Sequence, residues 1–298
     1  MRRILVPTLL ALAVLAGAPS SGSAQDAPKA PSPPTPVPAV ELDQTVVNVQ
    51  TTMPLKRHKS YFKITHRFAR DLRRGSFGQL AEDNFGLDNG AIIGLEYRFA
   101  ITSNLQAGVH RSILGKTIHT FGKWDVLRQT EGRPVGLSLG GGIEGQSNLH
   151  LDPQPNVSAA FSYLRGTWLA LYANPTFVVD AHTATLQASH AGHDHGGGSE
   201  ADDPAAEIPG VDHDDTAFIG LGTRIRIRET VSLVAEVSPR IYGYRPDRAA
   251  WNVGIEKLTR GHVLQLNFGN NFDSTPGMVA RGGSKHDVYM GFNLSRKW

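Results

Sequence analysis

The sequence predicts an all-β protein: a transmembrane antiparallel up-and-down β-barrel of about twelve strands, with short turns at one end and long loops at the other. Three observations carry this reading. From Lys59 onward apolar residues recur at every second position, the period of a strand with one apolar face. The connections between these segments alternate in length. The chain ends in VYMGFNLSRKW, with Val288, Met290, Phe292 and Leu294 at every second place before Trp298. At a soluble chain end those side chains would face water. In a barrel wall they face lipid, and the indole sits at the interface.

The chain has 298 residues and no cysteine. It starts with MRR, an apolar run from Ile4 to Ala18 and the small residues Gly22, Ser23 and Ala24. Residues 1–24 read as a cleaved secretory signal peptide, since the run is about 15 residues and a membrane helix needs about 20. Export leads to a compartment that permits disulfides, yet none can form, so stability has another source. Loss of Arg2 and Arg3 from 30 Lys and Arg leaves 28 against 27 Asp and Glu. That balance, with no Lys/Arg-rich cluster, excludes a nucleic-acid partner. Residues 25–58 contain APKAPSPPTPVPAV and are expected to form a Pro-rich periplasmic linker. The barrel is expected over 59–298.

The strands are justified in order. FKITHRF places Phe62, Ile64 and Phe68 opposite Lys63, Thr65 and Arg67. GAIIGLEYRF places Ile93, Leu95, Tyr97 and Phe99 opposite Ile92, Glu96 and Arg98. NLQAGVH places Leu105, Ala107 and Val109 opposite Gln106 and His110. Apolar toward lipid and polar toward the lumen is the pattern of barrel strands. It continues through expected strands at 59–68, 90–99, 104–112, 117–128, 135–145 and 156–164. Six more follow at 167–178, 216–227, 230–241, 250–258, 262–270 and 286–298. The fourth has a mixed outer face, and the sixth and seventh alternate weakly. Short turns at 101–104, 129–134, 165–167, 228–230 and 258–261 alternate with connections that are mostly long: 69–89, 146–155, 179–215, 243–249 and 271–285, with 113–116 the short member. An even strand number puts both termini on the periplasmic side. A barrel in lipid must also close, because open edges leave backbone groups unpaired.

FKITHRF, NFGLDNGAIIGLEYRF (84–99), LRQTEGRPVGLSL (127–139), GHVLQLNFGNN (261–271) and MGFNLSRKW together resemble an uncharacterised family of bacterial outer-membrane β-barrels, one of the domain-of-unknown-function families (DUF5777-like). The resemblance runs from about residue 50 to the end. It implies an outer-membrane barrel and no activity, and it assigns no functional residue. The terminal Met290, Phe292, Leu294 and Trp298 also resemble the signal read by the barrel-assembly machinery. The expected partners are therefore that machinery and outer-membrane lipid, and the expected state is a monomer in the bacterial outer membrane.

Three sets of residues could carry function. The first is the inward charges Lys63, Arg67, Glu96, Arg98, Lys123, Asp125, Arg224, Arg226, Glu236, Arg240 and Glu256. They either pair within the lumen or set the selectivity of a pore. The second is His110-x-Ser112, whose spacing resembles the catalytic pair of the outer-membrane phospholipase. Parity turns His110 away from lipid and no third group is evident, so no catalytic residue and no enzyme is expected. The expected role is passive: a narrow channel or a barrel that binds a small ligand. The alternatives are an interaction barrel with a filled lumen and, more distantly, a lipid hydrolase.

The third set lies in the acidic loop 180–215, with nine acids, five histidines and no Lys or Arg. His190, His193, Asp194, His195 and His213 offer imidazole and carboxylate, which suit zinc, copper or nickel. No cofactor is required, and weak binding of these metals is expected. Deleting residues 186–212 should leave a folded barrel and remove the binding of titrated zinc and copper. The loss should be mimicked below about pH 6, where imidazoles protonate. Equal metal stoichiometry in both proteins would exclude the loop as the site.

Overall fold

The computed structural model describes residues 40–88, 90–130, 132–182, 213–243 and 248–298. The described strands are β1 (Ser60–Phe68), β2 (Ala91–Ala100), β3 (Leu105–Ser112), β4 (Ile118–Leu127), β5 (Val135–Gly145), β6 (Leu151–Arg165), β7 (Leu169–His182), β8 (His213–Arg228), β9 (Val231–Ser238), β10 (Arg240–Tyr242), β11 (Ala250–Leu258), β12 (His262–Gly269) and β13 (Tyr289–Lys297). Each strand pairs antiparallel with its neighbours, and β1 pairs with β13. Both β9 and β10 pair with β8, either side of Pro239. They are one wall strand, interrupted at a residue that has no N–H to donate. The ring is therefore a closed antiparallel barrel of twelve strands. Closure leaves no strand edge unpaired, which is what lets a sheet cross hydrocarbon.

Side-chain parity sorts the wall. Leu95, Tyr97, Phe99, Leu105, Val109, Leu264 and Leu266 are exposed on the outside, while Lys63, Glu96, Arg98, Arg224 and Glu256 are buried inside. An ordinary soluble fold shows the reverse. In β13, Met290, Phe292 and Leu294 point outward, and Gly291, Asn293 and Ser295 alternate with them on the buried side. Trp298 is exposed, and its backbone exchanges two hydrogen bonds with Ser60, both 3.1 Å, at the seam.

The wall departs from the expected boundaries at β13, which begins at Tyr289 rather than 286, and most in one further sector. β6 begins at Leu151 and β7 ends at His182, so both reach further toward the loop end than expected. Pro153 and Pro155 mark this stretch as loop in the sequence, yet Pro155 lies opposite Ile143 in the ladder.

The larger difference is the segment before β1. Residues 40–58 were expected within a linker, but Val40–Leu55 lies inside the barrel, with Val40, Val46, Val47, Val49 and Leu55 buried. It forms a hairpin: Val46 N–H donates to Val49 O at 2.8 Å and Thr51 N–H to Gln44 O at 2.9 Å. Val40, Val46, Val47 and Val49 pack against Leu164, Ala170, Tyr172 and Val234. A hairpin enclosed by a lumen is buried on every side, so its sequence has no reason to alternate. Residues 25–39 and the acidic stretch 183–212 lie outside the described residues.

Candidate functional site in the lumen

The hairpin occupies the half of the lumen near the short turns, and Lys63, Arg98, Lys123, Arg224 and Glu236 bind it. Arg224 lies at the centre. Its Nε and Nη2 donate to the Glu256 carboxylate at 2.6 and 2.9 Å, its Nη1 to Tyr172 Oη at 2.9 Å, and its Nη2 also to Thr45 O at 3.0 Å. Arg and carboxylate are both fully buried, so this bidentate pair is shielded from water. Lys63 donates to Thr45 Oγ1 at 3.1 Å and lies 4.0 Å from Glu96. Arg98 donates from Nε to Glu96 at 2.6 Å and from Nη1 to Gln50 of the hairpin at 3.1 Å. Lys123 donates to Met53 O at 2.7 Å and pairs with Asp125 at 3.3 Å. Arg67 donates to Asn293 Oδ1 at 2.8 Å. Arg226 is half-buried near the turn end.

Glu236 acts differently from the paired charges. Its carboxylate accepts three consecutive backbone N–H groups of the hairpin tip. Val47 donates at 2.9 Å, Asn48 at 3.0 and 2.9 Å to the two oxygens, and Val49 at 3.0 Å. Asn252 Nδ2 adds a fourth donor at 3.0 Å. Successive N–H groups converging on one anion make a nest, a strong arrangement for a carboxylate.

The loop between β12 and β13 folds inward over the other end. It carries a short helix, Pro276–Arg281, capped by Thr275, whose side chain accepts from Met278 N–H. Thr275 Oγ1 and Gly277 N–H both donate to Glu144, at 2.8 and 2.9 Å. Val279 and Ala280 pack on Val178, Ala181 and Phe218. Arg240 Nε donates to Ala280 O at 2.7 Å, and its other nitrogens reach Ser238 O and Val279 O. Glu144 is absent from the sequence-derived set, although parity within GGGIEG places it inward, opposite Ile143.

Asp273 sits buried in the same loop. Burial pushes its carboxyl up to about 8, against the opposing pull of Arg240, Arg281 and Arg67; Glu236 adds to the rise. Unfolded, it titrates near 4. The folded loop therefore holds this proton more firmly. Its contribution to docking is complete below about pH 4 and is lost as pH rises through about 8. Hydrogen exchange at residues 274–282, corrected for intrinsic rates, should accelerate as pH rises from about 4 to about 8 and level off above that, and Asp273→Asn should flatten that dependence.

Between the hairpin tip and the inward loop lies a cavity of about 70 Å³. Asn48, Val49 and Gln50 form one end, and Ser274, Thr275, Pro276 and Val279 the other. The wall between supplies hydroxyls and amides, among them Ser138, Asn156, Asn174 and Thr176, together with Glu96, His119 and Lys123, and Phe121 and Phe218 as apolar patches. Asn48 Oδ1 has no hydrogen-bond partner among the described residues. A group that borders a polar space with a free acceptor can take a donor from a solute or from water.

His110 and Ser112 are both buried on the lumen side. Ser112 Oγ accepts from Leu114 N–H at 3.2 Å. His110 Nε2 meets Ser274 Oγ at 3.0 Å, and its Nδ1 is 3.6 Å from Glu96. The order carboxylate, imidazole, hydroxyl is that of a nucleophile relay. But Glu96 is committed to Arg98 at 2.6 Å, and 3.6 Å is too long to orient the ring.

Residues 42–298 match the model of the family described as a membrane bound beta barrel domain, DUF5777. The chain belongs to that family. The match begins at Leu42, so the family's domain includes the hairpin and starts well before the first wall strand. No curated protein matches. Among solved structures, the NanC porin aligns at TM-score 0.47 and 6% identity, over 80% of this chain and 97% of that one. An outer membrane channel from Pseudomonas putida F1 aligns at 0.45 and 12%, over 87% and 100%. Outer membrane phospholipase A from Escherichia coli aligns at 0.38 and 9%, over 80% and 90%. These likenesses carry nothing about the activity of this chain. Among the described residues, no cluster of three or more His, Asp or Glu could hold a metal. His190, His193, Asp194 and His195 lie outside them, and His213 opens β8 opposite His182.

Proposed function

We propose that this protein is a narrow outer-membrane channel for small polar solutes, closed at rest. It is exported by a cleaved signal, folded by the barrel-assembly machinery through its terminal strand, and works as a monomer without a cofactor. The observation that carries the reading is the cavity between hairpin and loop, where hydroxyls, amides and the acceptor of Asn48 stand beside Glu96, Lys123 and His119. Such a lining can replace the hydration of a small polar solute group by group. The charges among its lining, Glu96 and Lys123, pair with Arg98 and Asp125 of the wall, which limits the net field in this cavity.

The second reading, an interaction barrel with a filled lumen, is favoured by the hairpin itself. Conductance separates the two. The purified protein in planar bilayers should show small, infrequent openings with weak ion selectivity across several salt concentrations. A bilayer that stays silent at every salt and voltage, with correctly inserted protein, would support the filled barrel instead.

A further inference from the structure

We propose that residues 40–55 form a withdrawable plug, latched by the Glu236 carboxylate, whose departure opens the channel. This regulation rests on the channel reading above.

The hairpin enters and leaves at one end of the barrel. Val40 packs with Leu164 and Ala170, beside the 166–168 turn, and Leu55 packs with Tyr61 and Ala100, beside the 101–104 turn. It can therefore leave as one piece, with no threading past the wall. It carries its own hydrogen bonds, including Thr51 Oγ1 to Asp43 O at 3.0 Å, and the ring closes without it. Arg224–Glu256, Arg98–Glu96 and Lys123–Asp125 are all pairs within the wall. Withdrawal leaves these charges partnered, so an emptied lumen is a stable polar surface.

Glu236 is the exception to that pairing. Its bonds go to three N–H groups at the tip and to Asn252. Other wall side chains donate to the hairpin, Gln265 Nε2 to Val46 O at 2.6 Å and Arg224 to Thr45 O at 3.0 Å, whereas Glu236 is the carboxylate that accepts the tip's N–H groups. The wall is also shaped for the hairpin. A Cβ at Gly222 would lie 3.0 Å from Val46 Cγ2, and one at Gly220 would lie 2.8 Å from Val49 Cγ2. Larger residues at these inward positions would displace the tip. The close approach at Gly222 also brings position 46 within disulfide reach of the wall, about 3.5–4.5 Å between Cβ atoms. The chain has no cysteine to interfere.

The experiment is single-channel recording on the parent protein, two substituted forms of it and a deletion. Glu236→Gln removes the charge, leaves one acceptor oxygen, and points an amide at N–H donors; its open fraction should rise on the order of tenfold. Val46→Cys with Gly222→Cys should be silent when oxidised and should regain openings on reduction. A chain lacking residues 40–55 should conduct steadily. Equal conduction by the oxidised and reduced pair would show that solute passes beside the hairpin, and the plug would be wrong. An inserted, heat-resistant deletion barrel that passes no current would overturn the channel reading itself. If the deletion fails to insert, the oxidised and reduced forms of the full chain decide the plug alone.

Discussion

Glu256→Ala should destabilise the barrel by about 3–5 kcal/mol, the cost of removing one partner of a buried ion pair and leaving the other uncompensated. Glu256 and Arg224 are both fully buried, and the carboxylate holds Arg224 by two bonds. It also accepts from Gln265 Nε2 at 2.8 Å. Alanine leaves the guanidinium with Tyr172 and Thr45 O alone, and neither carries a countercharge. The double variant Arg224→Met with Glu256→Met should recover much of the loss, because two well-packed apolar side chains replace both charges together. Recovery should be incomplete, since Tyr172 Oη and Thr45 O lose a donor. Urea unfolding in lipid vesicles, followed by tryptophan fluorescence, measures all three proteins. A single variant as stable as the parent would mean that water reaches Arg224, and that this part of the lumen is wetter than its packing implies.

The wall of the barrel was legible because a strand between lipid and lumen has two unlike faces. Leu95, Tyr97 and Phe99 alternate with Glu96 and Arg98, and the two sets lie outside and inside as that pattern requires. Lys63, Glu96, Arg98, Arg224 and Glu256 were readable as inward for the same reason, since a charge in mid-wall is placed more cheaply in the lumen than in lipid. Their partners were not readable. Glu236 meets residues 187 to 189 positions away, and His110 meets Ser274 at a separation of 164. No local period encodes such pairings. The hairpin was hidden for a further reason. Val46, Val47 and Val49 are buried against the wall around them, so the two-sided environment that prints a period on β1 or β13 is missing. Its signal was composition: valines and threonines closing a proline-rich stretch that had no other cause to be apolar.

Phe292→Lys should cost about 2–4 kcal/mol if the ring sits near the bilayer midplane, while Phe292→Leu should cost less than about 1.5 kcal/mol. Phe292 lies on the outer face of β13, opposite Leu266 of β12 on one side and His66 of β1 on the other. Its ring stacks on His66 at 4.8 Å and meets Phe68 at 6.2 Å, an aromatic patch across the closing seam. Lysine would place an ammonium on that lipid-facing patch, where it must reach the interface along its own stem or thin the bilayer. Leucine keeps the surface apolar and loses only the stacking. The effect falls on the pairing of first and last strands, so it should appear in assembly as well as in stability. The measurements are unfolding free energy in vesicles and the fraction that migrates as the compact, heat-modifiable form on gels. Equal losses for lysine and leucine would show that Phe292 acts through ring packing rather than through contact with lipid, and the outer face of β13 would then be covered by something other than the membrane.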